Sequence, residues 1–97
     1  MDRTFDISEF VDTETIATVL NKLVVRVKKR RKELGITQRV LAEKSGVSYA
    51  SLRRFEKTGE IALSSLLKIG QALNSLDDFN MLFKKSKITN LKGYTGD

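Results

Sequence analysis

Residues 37–59 read TQRVLAEKSGVSYASLRRFEKTG, and the spacing within them organises the rest of the chain. Thr37 is placed to cap a short helix whose inward side is Val40, Leu41 and Ala42. Ser45 and Gly46 break that helix, and Gly46 supplies the positive φ that a tight turn needs. Ser48 then caps a second helix with Val47, Leu52 and Phe55 inward. A hydroxyl at an N-cap accepts from backbone N–H groups that the first turn leaves without partners. The two helices must cross steeply, so a small residue belongs at the crossing, and Ala42 falls there. A β-branched residue at Gly46 would face about 1–2 kcal/mol of left-handed strain. Two short helices around a glycine turn, the second carrying Arg53, Arg54 and Lys57, form a helix-turn-helix pattern.

Outward from this unit, 97 residues with 40% apolar content predict one folded domain with a modest core. The longest apolar run is far short of a membrane span, and the first twenty residues lack a basic-then-apolar leader. There is no cysteine or histidine, so disulfides, thiolate metal sites and the commonest general bases are excluded. No carboxylate pair or phosphate-cradling glycine loop is visible. The expectation is a cytoplasmic protein that is not an enzyme and uses neither cofactor, metal nor membrane.

The net charge of +6 is unevenly distributed. Residues 22–57 hold twelve Lys/Arg against Glu33, Glu43 and Glu56, and 12 − 3 gives +9 there. Residues 1–14 carry Asp2, Asp6, Glu9, Asp12 and Glu14 against Arg3. A basic middle behind an acidic head implies a face for a polyanion.

Along the chain, Phe5, Ile7, Phe10 and Val11 stand among the acids of residues 1–12, which either fray or dock on the body or a second copy. From 13 to 34 the pattern is helical, with Ile16, Leu20, Leu23, Val27 and Leu34 on one stripe widened by Val19 and Val24. Asp12 or Thr13 is expected to cap it, Glu14 to sit in its first turn, and Gly35 to end it. Leu63, Leu66, Leu67, Ile69 and Leu73 mark a fourth helix that Asn74 can close, and Leu76, Phe79, Leu82 and Phe83 a fifth. The domain then spans 13–83, followed by a basic tail over 84–97.

Four segments together, RKELGITQ (31–38), LAEKSGVS (41–48), LRRFE (52–56) and SLLKIGQAL (65–73), resemble the XRE family of bacterial and phage regulators, which includes the lambda and 434 repressors and Cro. The resemblance implies an all-α, lambda-repressor-like five-helix bundle whose third helix enters the major groove of double-stranded DNA. It implies that Tyr49, Ala50 and Arg54 face base edges, with Ser51 at the margin. Gln38 and Ser48 would bind phosphates at two helix N-termini, with Arg39, Arg53 and Lys57 as further phosphate contacts. Arg31 and Glu56 match a buried ion pair, which makes Glu56 structural. Two positions depart from the family pattern. Gly59 comes late after Glu56, predicting a longer third helix, and Ala62 stands where a capping serine is usual, leaving Ser64 to cap or the helix to fray.

The function that follows is a sequence-specific, dimeric transcriptional repressor. Self-association candidates are Phe79, Met81, Leu82 and Phe83, with the segment 5–11. The alternative is an antitoxin that also binds a toxin partner, such as a HipA-like kinase, and controls its own operon. RNA binding is disfavoured, because Phe55, Phe79 and Phe83 are expected inside and leave no stacking platform.

Overall fold

The computed structural model describes residues 13–86, so the segments 1–12 and 87–97, including the docking candidates of 5–11, lie outside the described residues. Four α-helices follow in order: α1 (Ile16–Glu33), α2 (Gln38–Ser45), α3 (Tyr49–Thr58) and α4 (Leu63–Ala72). A 3-10 helix over Leu76–Met81 follows them, and no strand occurs among the described residues.

Local chemistry sets the boundaries. Thr15 caps α1 through a reciprocal pair of bonds, Thr18 N–H to Thr15 Oγ1 at 3.1 Å and Thr15 N–H to Thr18 Oγ1 at 3.0 Å. The expected cap at Asp12 or Thr13 is therefore too early: the helix starts after Thr15, whose hydroxyl and backbone N–H are both paired with Thr18. Glu14 consequently precedes the helix, where it accepts from Thr18 Oγ1 at 2.8 Å and Lys22 Nζ at 2.7 Å. Thr37 caps α2 by accepting from Val40 N–H, and Ser48 caps α3 by accepting from Ser51 N–H. Gly46 and Gly59 close α2 and α3 at φ of 77° and 83°, where a side chain is strained. Ala62 occupies the N-cap of α4 with no side-chain hydrogen bond, so Ser64 does not cap it. Asn74, at φ 58°, turns the chain after α4.

The Lys22 hydrogen bond, followed by that from Thr18, holds the Glu14 carboxyl below the usual glutamate value of 4.5. A depressed folded value means that the contact supports α1 at neutral pH and is lost as pH falls through that lowered value. A carboxyl-resonance titration should place the Glu14 midpoint below that of a free glutamate, and a Lys22→Met chain should shift it upward. A midpoint unmoved by Lys22→Met would show that the pair does not form.

Phe55, Leu41, Leu52 and Ile69 are fully buried, and Val24, Ala42, Val47, Leu66 and Leu73 complete the core. Leu23, Val27 and Phe79 pack on its edge. Two glycines permit close approach. A Cβ at Gly59 would lie 3.0 Å from the Leu20 Cβ, and one at Gly70 would lie 2.5 Å from Phe79 Cε2.

Several apolar residues expected inside are outside. Ile16 and Val19 are 82% and 47% exposed, and Leu34 is also exposed. The cause is length: the core takes Leu23, Val24 and Val27 from the middle of the 18-residue α1, so Ile16 and Val19 at one end and Leu34 at the other extend beyond it. Val40 and Leu63 lie exposed in the first turns of α2 and α4. The fifth helix is a 3-10 helix, in which residues three apart align, and Phe79 alone of its apolar residues packs on the core. Met81 and Leu82 are exposed, and Phe83, at φ 60°, is wholly exposed instead of buried.

Candidate nucleic-acid interface

α3 divides by its own period. Leu52, Phe55 and Glu56 point inward, while Ala50, Ser51, Arg53, Arg54 and Lys57 are exposed. The inward residues recur at spacings of three and one, which leaves the intervening positions on an outward face. Tyr49, the first residue of α3, is half-buried. Its ring lies under two guanidinium groups, with Arg39 Cζ 4.1 Å and Arg53 Cζ 5.6 Å from the centroid. Stacking of this kind fixes long side chains that would otherwise be free. Arg39 from α2 and Arg53 from α3 are thereby held together on one aromatic ring.

Beneath α3, Arg31 reaches from α1 to Glu56 through two parallel bonds, Nε to Oε2 at 2.9 Å and Nη2 to Oε1 at 3.1 Å. Arg31 Nη1 also donates to the Ile36 carbonyl at 3.0 Å, which secures the turn before α2. Gln38 Nε2 donates to Glu56 Oε1 at 2.8 Å. Gln38 was expected only as a phosphate contact; the structure ties it to the buried carboxylate as well. An amide nitrogen carries two protons, so one donor remains beyond that bond. The backbone N–H groups of Gln38 and Arg39, and of Tyr49 and Ala50, precede any intrahelical acceptor. Two helix starts thus present donors and partial positive charge beside Arg39 and Arg53, while Lys57 lies in the last turn of α3.

Arg54 carries a feature absent from the sequence expectations. Its Nη2 donates to Glu60 Oε1 at 2.5 Å across the end of α3. Thr58 Oγ1 donates to the Arg54 carbonyl at 2.8 Å and accepts from Glu60 N–H at 3.1 Å. The left-handed turn at Gly59 brings Glu60 back beside the helix, so Gly59 was the signal for it. The same late glycine lets α3 run to Thr58.

Among the described residues no group of acidic, histidine or cysteine side chains could hold a metal, and no helix is long and apolar enough to cross a membrane. Residues 27–79, more than half of the 97, match the family model described as helix-turn-helix. No curated protein and no solved structure matches the chain.

Proposed function

The chain belongs to the XRE family of helix-turn-helix DNA-binding domains, with their lambda-repressor-like all-α fold, and we propose that it is a sequence-specific repressor acting as a dimer on double-stranded DNA. The observation that carries this reading is α3 itself, buried on one face and presenting Ala50, Ser51, Arg53 and Arg54 on the other. Arg54 has the planar fork that binds guanine O6 and N7, and Ala50 is small enough to meet a thymine methyl. Ser51 stands at the margin of that face. Gln38, Ser48 and Lys57 hold the phosphates on either side, and Tyr49 keeps Arg39 and Arg53 aimed at the backbone from the groove edge. Residues 13–83 form the DNA-binding unit of this cytoplasmic regulator, between the flanks 1–12 and 84–97.

Met81, Leu82 and Phe83 support self-association, because they form an exposed apolar run from the last residue of the 3-10 helix onward. Phe79 contributes indirectly, since its ring is packed against Gly70. A symmetric pair would place two α3 helices on half-sites about one DNA turn apart. Selection from a random duplex pool at near-physiological salt tests the reading. An enriched inverted repeat is expected, and enrichment of no sequence would overturn it. A sedimentation run showing only monomer, with and without that duplex, would remove the dimer.

On the selected duplex, Arg54→Ala should lose about 1–3 kcal/mol and relax the preference at one base pair. Fluorescence anisotropy on single-base variants of the duplex measures this, and equal losses on selected and random DNA would exclude base reading by Arg54.

A second function is favoured by a separate patch. Ile16 and Val19, three residues apart on one side of α1, are exposed at 82% and 47%. A partner protein seated there would fit an antitoxin that neutralises a toxin such as a HipA-like kinase. Co-purification of a partner that Ile16→Ser with Val19→Ser abolishes would establish it.

A further inference from the structure

We infer that Glu60 is a specificity-determining residue, acting through Arg54; this rests on Arg54 reading a base. The pair is exposed, with side chains 68% and 61% accessible, so it is not part of the core. It is nonetheless held in place. Gly59 turns the chain back, and Thr58 Oγ1 bridges the Glu60 N–H to the Arg54 carbonyl, fixing the backbone on both sides of the ion pair.

The carboxylate acts differently in the two modes of DNA binding. On random DNA, Arg54 would serve as one more phosphate contact. Glu60 already offsets its charge, so that contact adds little affinity and little counterion release. On a guanine, charge matters less than the direction of the donors. A guanidinium has five N–H donors, and Glu60 takes one, so four remain, of which O6 and N7 need two. The fork therefore arrives already oriented, without losing its partner, and less freedom is lost on binding. Glu60 weakens the indiscriminate mode and preserves the discriminating one, which is how a repulsive element produces specificity.

An exposed ion pair is worth at most about a fivefold factor in an equilibrium. A bidentate arginine–guanine contact discriminates by about five- to 150-fold. Glu60 thus tunes the ratio of specific to random binding and does not create it.

The test is Glu60→Gln in the full chain, measured on the selected duplex and on a random duplex of equal length. The salt dependence is recorded for both. Random binding should tighten several-fold, with a salt slope steeper by up to about one unit. The specific-to-random ratio should fall about three- to fivefold. In an Arg54→Ala background the same change should leave the ratio unaltered, because no fork remains to orient. A ratio unchanged by Glu60→Gln overturns the inference. So does an equal fall with and without Arg54, which would make Glu60 a general acidic repellent. Base reading is tested separately by Arg54→Ala alone: if that variant keeps the full ratio, the assignment of Arg54 fails, whatever Glu60 does.

Discussion

Glu56→Ala should destabilise the chain by about 3–5 kcal/mol, because it leaves a buried guanidinium without its carboxylate. Arg31 and Glu56 are 9% and 7% exposed, and their bond is bidentate. The gross attraction is not the source of that figure, since most of it offsets the desolvation of two ions. What is lost is compensation: Arg31 cannot reach water in the same position, and Gln38 loses its acceptor at 2.8 Å. Denaturant unfolding followed by circular dichroism measures the change. Arg31→Met combined with Glu56→Leu should cost much less than either single truncation, since apolar replacement of both ions removes the desolvation as well. A double variant as unstable as Glu56→Ala would mean that the pair contributes more net stability than it costs to bury. With Gln38 released, DNA affinity should also fall in the double variant even where the fold survives.

Parts of this architecture were readable because their causes are local. The turn between α2 and α3 depends on Thr37, Gly46 and Ser48, whose roles follow from neighbours within three or four residues. The inward face of α3 followed from its period in the same way. Spacing alone does not mark the start of α1: Thr13 and Thr15 both carry a hydroxyl able to cap, and Thr15 is the one that exchanges a pair of bonds with Thr18. Period also could not show where α1 runs out of partners. Ile16 belongs to the same stripe as Leu23, yet one is exposed and the other packed, since the core takes only the middle of α1. Phe83 fell out of the core for a related reason: the last helix ends at Met81, and the chain then turns its next aromatic outward. The Arg31–Glu56 pair, 25 residues apart, was accessible through family resemblance and not through spacing. The Arg54–Glu60 contact matched no helical repeat, because a left-handed glycine lies between its partners.

Phe55→Ala should cost about 3–5 kcal/mol, the usual range for deleting a buried ring. Its side chain is 0% exposed within a core that also takes Leu41, Leu52 and Ile69. The loss is comparable with the roughly 5–15 kcal/mol that stabilises a typical domain. Each kcal/mol should lower Tm by about 4–8 °C in a domain of this size. The consequence for DNA binding differs in kind from that of Arg54→Ala. Phe55 does not reach the outward face of α3, so the folded fraction of Phe55→Ala retains its contacts. Duplex at a hundred times Kd contributes about 2.7 kcal/mol to the folded state and should recover much of the lost Tm. Arg54→Ala should show the reverse, with free Tm close to that of the parent chain, since exposed substitutions stay within about 0.5 kcal/mol. Its duplex-induced rise in Tm should shrink. Thermal scans of both variants, with and without the selected duplex, separate the residue that builds the helix from the residue that reads with it. If Phe55→Ala lost the duplex-induced rise as completely as Arg54→Ala, the outward face of α3 would depend on the core more tightly than a rigid helix allows.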